Sequence, residues 1–250
     1  VVRELVELRR HGFRFVVLAD DNFYPVTLAD LAAADRPADK TQFAALTALR
    51  RERFELMAQL EKLPSDMVFY TQITMEAAED PEFLKAMRRA HIYGALVGVE
   101  SVTPEGLKAV FKNFNEAGED LVTRLRAFRD ADVHVLGSFI FGLSSDTPDT
   151  FAATADLAQR AGISFAQFVM LQPLPGTIDF AKWERDATDV PAIDGVPLTR
   201  YWLIPPEHRP RVYSPHPRMT AEELRSRTQD VWDRFYSLNL VWQRSGFLKS

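Results

Sequence analysis

The 250 residues contain no cysteine. This excludes disulfides and any metal centre held by the chain's own thiolates. No apolar run approaches the roughly 20 residues of a membrane-spanning helix. No signal peptide opens the chain either, because Val1 begins a charged amphipathic stretch. A soluble, cytoplasmic protein is expected. Histidine is scarce, and His11, His91, His134, His208 and His216 share no metal-ligand spacing. His11 and His91 suit helix C-termini, where a partly cationic ring meets the helix dipole. His134 falls in an apolar run and is expected in the core. There is no P-loop, G-x-G-x-x-G or G-x-S-x-G. The net charge of -5 gives no basic footprint for nucleic acid. Solenoid-length repeats and low-complexity tracts are also absent. The first residue is Val rather than Met, which fits a fragment, a processed product or an excised domain equally well.

Apolar residues make up 46% of the chain, enough for a sizeable core in one large domain or barrel. Strand-like runs are expected at Phe13–Ala19, Met67–Thr74, Ala95–Val99, Val133–Phe141 and Phe165–Leu171. Amphipathic helical stretches lie between them, as in VVRELVELRRHG, LADLAAA (broken by RPADK), TQFAALTALRRERFELMAQLEKL, PEFLKAMRRAH and DTFAATADLAQRAG. The strand runs barely alternate in polarity, as in strands buried on both faces, so a parallel α/β sheet is expected. Open doubly wound sheet and closed or partial barrel both fit. The segment Arg185–Met219 carries seven prolines and reads as irregular chain. A capping box at Thr220 and Glu223 then starts a terminal helix, with Leu224, Val231, Phe235, Leu238 and Trp242 on one face.

Parallel α/β sheets bind ligands at the carboxyl ends of their strands. Asp20, Asp21 and Asn22 end the first run. Gln72 and Thr74 end the second, with Glu76 just beyond. Glu100 and Ser101 end the third. Gly137, Ser138 and the Gly142–Ser145 turn belong to the fourth, and Gln172 to the fifth. Polar residues also occur at strand ends simply because the chain leaves the core there, and Asp20 alone could cap a turn. The collective pattern is the stronger signal. Acceptors gathered at one mouth suit an ammonium group, ribose hydroxyls or a metal.

Four stretches, VVLADDNFYP, YTQITMEAAEDPEFLKAMRRAHIYGALVGVES, GSFIFGLSSDTPDTFAATADLAQRAG and FVMLQPLPGT, together resemble radical S-adenosylmethionine enzymes. The subgroup most resembled usually carries an N-terminal cobalamin-binding domain. The resemblance runs from Val1 to Trp183. It implies a partial (β/α)6 TIM-like barrel over 1–183, followed by a C-terminal extension over 184–250. It further implies that S-adenosylmethionine lies at the barrel mouth. Asp20, Asp21 and Asn22 would meet the methionine amino group, and Glu100 and Ser101 the ribose or the carboxylate. Gly137, Phe139 and Gly142 would flank adenine, with Gln172 and Pro173 at its edge, while Gln72 and Thr74 face substrate or cofactor. The family's C-x-x-x-C-x-x-C loop, which holds a [4Fe–4S] cluster through thiolates, has no counterpart here. The resemblance therefore implies a chain lacking its first strand and cluster loop, inactive alone. The parent protein would hold the cluster, with cobalamin, if it is used, on an upstream domain, and would need a reductant protein and a small-molecule substrate. Two rivals are a cysteine-free relative that binds nucleotide or acts as a scaffold, and an unrelated barrel placing a divalent metal on Asp20, Asp21 and Glu100. Without a first strand, Phe13–Ala19 would form an exposed apolar edge. The isolated chain is therefore expected to self-associate in sedimentation velocity, and a stable monomer would contradict that.

Overall fold

The computed structural model describes residues 1–35, 40–110, 118–187, 190–213 and 215–244. The break expected across residues 36–39 lies outside them. Five strands, β1 (Phe15–Val17), β2 (Val68–Ile73), β3 (Ile92–Glu100), β4 (His134–Phe141) and β5 (Phe165–Met170), form one sheet in sequence order. Every neighbouring pair is parallel. The sheet curls into a half-barrel, the partial barrel expected. Helices α1 (Val2–Arg10), α2 (Leu28–Ala34), α3 (Lys40–Leu60), α4 (Pro81–Arg89), α5 (Pro104–Ala109), α6 (Glu119–Asp130) and α7 (Pro148–Ala161) are interleaved with the strands. Their starts follow local chemistry. Thr27 and Asp30 form a capping box for α2, Asp80 caps α4 ahead of Pro81, and Thr103 caps α5 ahead of Pro104.

Burial alternates along the strands although polarity does not. Phe69, Ile73, Val97, Val99, Val135, Phe139, Phe141 and Phe168 are at most 3% exposed, on the face covered by helices. Phe15, Val17 and Phe165 are more than half exposed on the other, concave face. At roughly 1.5–3 kcal/mol for each fully buried large apolar side chain, the covered face holds the sheet together. One ring partly floors the concave face. A Cβ at Gly94 would come within 2.7 Å of the Tyr70 ring, so glycine there lets the ring lie across β3. Burial pushes the Tyr70 phenol up from its ordinary pKa.

The two sheet edges are treated differently. β1 pairs only with β2, and Phe15 and Val17 stand open, as expected for an apolar edge. β5 is covered by α9 (Ala221–Phe235), the helix started by the Thr220–Glu223 capping box. The Trp232 indole Nε1 donates to the Phe168 carbonyl at 2.9 Å. The Tyr236 hydroxyl donates to the Ala166 carbonyl at 2.7 Å and accepts from the Ala166 amide at 3.0 Å. Two aromatic side chains thus occupy backbone groups that an extra strand would otherwise use.

Several expectations change. β1 covers only three residues of Phe13–Ala19, whereas β3 begins at Ile92, because Ile92 and Gly94 already pair with β2. His134 is exposed rather than in the core: it lies on the uncovered face, where Nδ1 meets the Ser164 hydroxyl at 2.8 Å. The terminal helix breaks after Phe235 and resumes as α10 (Leu238–Arg244), leaving Leu238 89% exposed. A helix not expected, α8 (Ile178–Asp186), is capped by Thr177. Within the Pro-rich segment, β6 (Ala192–Ile193) and β7 (Val196–Pro197) form a hairpin turning at Asp194 and Gly195, both with positive φ. A separate small core of Phe180, Leu198, Tyr201 and Ile204 joins this segment to α8.

Replacing Tyr236 by Phe strands both Ala166 groups while keeping the ring. The expected cost is about 1–3 kcal/mol, read from urea unfolding. An unchanged midpoint would contradict the edge-covering role.

Candidate ligand site at the carboxyl pole

A cavity of about 380 Å³ opens on the concave face at the carboxyl ends of the strands. Asp21, Gln72, Thr74, Gly98, Glu100, Ser138 and Gln167 line it. Register explains the assembly. Gln72 pairs with Leu96, Gly98 with Ser138, and Ser138 with Gln167, so parallel pairing sets these side chains side by side. Gln167 Nε2 donates to the Ser138 hydroxyl at 2.9 Å. The cavity is acidic toward β1 and β3 and uncharged toward β4 and β5.

The three polar residues after β1 have separate tasks. Asp20 is paired to Arg53 of α3 at 2.6 Å, and that guanidinium lies 4.4 Å from the centre of the Phe23 ring. Asn22 is spent on backbone: its Oδ1 accepts from the Tyr24 and Thr74 amides, and its Nδ2 donates to the Tyr24 carbonyl. Asp21 alone of the three lines the cavity, and it is exposed. A buried network fixes the loop from behind. The Tyr24 hydroxyl donates to Asp80 at 3.0 Å, and Arg50 pairs with Asp80 at 2.6 Å. Burial, together with the Asp80 charge, pushes the Tyr24 phenol up from its ordinary pKa. Sequence reasoning missed this network, because only the fold brings Tyr24, Arg50 and Asp80 together.

Glu100 sits at φ +67°, in the left-handed region, where the β3–β4 register slips between Gly98 and Glu100. A side chain held there costs roughly 1–3 kcal/mol, and such strain concentrates at functional positions. The bulge re-aims Glu100 into the cavity. The Thr74 hydroxyl oxygen is buried and lacks a hydrogen-bond partner, so the cavity wall keeps an unsatisfied polar atom.

Other expected residues lie elsewhere. The Ser101 hydroxyl accepts from the Thr103 amide at 3.2 Å, in the turn that starts α5. Phe139 lies on the helix-covered face, stacked on Phe168 at 5.4 Å. Gly137 shares that face, and a Cβ there would strike Ile163 and Phe139. Gln172 lines a different groove, and the Pro173 carbonyl accepts from the Tyr201 hydroxyl at 3.0 Å. Gly142, at φ +97°, turns the chain after β4. Its amide and that of Leu143 both donate to buried Asp146, at 2.8 and 3.0 Å. His216 Nε2 donates to the Leu143 carbonyl at 2.9 Å, tying the Pro-rich segment to this turn. Gln167 escaped sequence reasoning because it stands mid-strand, three residues before the apolar end at Met170. Ser138 was legible only as part of the fourth strand's polar end.

The architecture is that of a parallel half-barrel with an acidic cavity at its carboxyl pole. No protein-family model matches the chain. It is 29% identical over 140 residues to the hopanoid C-2 methylase of Rhodopseudomonas palustris, covering 54% of this chain and 26% of that protein. It is 31% identical over 130 residues to the bacteriochlorophyllide d C-12(1)-methyltransferase of Chlorobaculum tepidum, covering 51% and 27%. The chain thus spans about a quarter of the length of these curated relatives. In fold it matches the radical S-adenosylmethionine methyltransferase TsrM of Kitasatospora setae, solved with cobalamin and a [4Fe–4S] cluster, at a TM-score of 0.60 and 19% identity. That match covers 96% of this chain and 46% of the other. The comparisons bear out the resemblance to radical S-adenosylmethionine enzymes seen in the sequence.

Burial pushes the Asp146 carboxyl up from its ordinary pKa, against the pull of the Gly142 and Leu143 amides and of His216. A raised folded pKa means that ionisation opposes folding. Stability contributed by the neutral form is complete below the unfolded value, near 4, and is lost as pH rises through the raised folded value. Asp146→Asn keeps an acceptor for both amides and removes this titration. Urea midpoints of variant and wild type should therefore diverge in the variant's favour as pH rises from about 4. A gap that shrinks with rising pH would contradict the burial argument.

Proposed function

We propose that the carboxyl-pole cavity binds S-adenosylmethionine and that the chain is the barrel portion of a radical S-adenosylmethionine methyltransferase. The observation carrying this reading is the convergence of Asp21 and strained Glu100 with uncharged Gln72, Thr74, Ser138 and Gln167 on one cavity. Carboxylates suit an ammonium group and a ribose diol. The unsatisfied Thr74 hydroxyl has a bond to offer a ligand. The cavity volume lies within the range of small-molecule sites, about 300–1,000 Å³.

The donor set fits S-adenosylmethionine and does not fit an iron–sulfur cluster. The sequence has no cysteine, and among the described residues no cluster of three or more His, Cys, Asp or Glu could hold a metal ion. The Asp20–Arg53 pair also weighs against a divalent metal on Asp20, Asp21 and Glu100. The cluster's thiolates, and cobalamin if it is used, therefore come from outside these residues. Bound S-adenosylmethionine would supply a methyl group or, on reductive cleavage, a 5′-deoxyadenosyl radical. This chain's part is to hold the molecule: Asp21 and Glu100 neutralise its cationic end, and the β4–β5 side offers uncharged hydrogen-bonding groups. The missing cysteines also favour a second reading, in which the chain binds the nucleotide without chemistry.

Calorimetry with S-adenosylhomocysteine tests the binding common to both readings. Saturable binding is expected. Asp21→Asn and Glu100→Gln should each weaken it at least about tenfold, about 1.4 kcal/mol. Asp20→Asn should act mainly on the unfolding midpoint through Arg53. Absence of binding, or an Asp20 effect larger than that of Asp21, would overturn this assignment. Production of 5′-deoxyadenosine by the longest gene product, reconstituted with iron and sulfide, separates enzyme from binder.

A further inference from the structure

A second, larger concavity lies away from the carboxyl-pole site. It is a groove of about 940 Å³ between the outer edge of β5, helix α9 and residues 210–213. We infer that this groove binds a small aromatic molecule carrying both a carboxylate and an ammonium group. The inference does not depend on the cofactor reading, since the groove and the carboxyl-pole cavity share no lining residue.

One wall is aromatic and fixed in place. Trp232 and Tyr236 stack at 5.4 Å with planes 19° apart, and their polar atoms are bonded to the β5 backbone. Those bonds fix the ring orientations before any ligand arrives, which lowers the entropy cost of binding. The Tyr213 ring lines the groove too, and is itself held against Tyr201 at 4.5 Å. Aromatic faces set this way stack on a flat ring.

The charges are the second observation. Arg211 lines the groove, is exposed, and forms no ion pair among the described residues. Asp233 lines the same groove one residue beyond Trp232. Its carboxylate accepts from the Gln229 amide at 2.8 Å and has no cationic partner among the described residues. A guanidinium and a carboxylate therefore share one aromatic-walled groove without pairing with each other. A ligand of a single charge would satisfy one and be repelled by the other. A zwitterion with an aromatic ring satisfies both. An extended peptide strand fits less well, because Trp232 and Tyr236 already occupy the β5 edge at Phe168 and Ala166.

The test is calorimetry on the 250-residue chain with L-phenylalanine, 3-phenylpropanoate and phenethylamine. The two analogues each lack one charge. Phenylalanine should bind at least about tenfold more tightly than either, as a charge-assisted hydrogen bond allows. Arg211→Gln should erase its advantage over phenethylamine, and Asp233→Asn its advantage over 3-phenylpropanoate. Both variants should keep wild-type unfolding midpoints, so a folding defect is read separately. The inference is overturned if none of the three probes binds, if all bind alike, or if the variants leave the order unchanged.

Discussion

Because every strand of the main sheet runs parallel to its neighbour, each crossover returns the chain to the same pole. The segments after β1, β2 and β3 must therefore deliver their polar residues to one region, however far apart they lie in sequence. The same pairing aligns Gly98, Ser138 and Gln167 as a row across the concave face. The helix-covered face supplies the stability that lets the concave face stay open. Where regular pairing would point a side chain elsewhere, the chain bends: the register slip before Glu100 and its left-handed backbone set that carboxylate into the cavity. Strain of this kind persists only where surrounding structure enforces it. Here β3 is a central strand hydrogen-bonded on both sides.

The C-terminal third is tied to the barrel at several points. His216 and Arg218 reach carbonyls of the Leu143–Asp146 turn, Tyr201 reaches Pro173, and α9 covers the β5 edge. These contacts fix the loops that leave β4 and β5. They also create the aromatic groove on the outer side of β5, so one helix both closes an edge and builds a second concavity. Among the described residues β1 has no such cover.

Much of this was legible in the sequence, and the failures have physical causes. Five strand runs and their parallel arrangement followed from apolar stretches separated by amphipathic ones. The pole could be read from Asp21, Gln72, Thr74 and Glu100, because polar residues at apolar strand ends are visible without coordinates. What could not be read was how neighbouring polar residues divide their work. Asp20 and Asn22 look like Asp21 in the sequence, yet Arg53 takes one and the backbone takes the other. Facing was also hidden, because with both faces apolar nothing marks Phe139 as pointing into the helix layer. Gln167 lies mid-strand, where a single polar residue gives no pole signal. The terminal helix shows the limit of periodicity: the apolar spacing continues through Leu238 and Trp242, but the helix breaks and both side chains are exposed.

The central claim is that the carboxyl pole is where this chain binds its nucleotide ligand. Hydrogen–deuterium exchange with and without S-adenosylhomocysteine tests it most directly. The expected result is slower exchange in the segments bearing Asp21, Thr74, Glu100 and Ser138, with none around His134 at the opposite pole. Protection confined to α9 and residues 210–213, or no protection at a ligand concentration that saturates related enzymes, would contradict it.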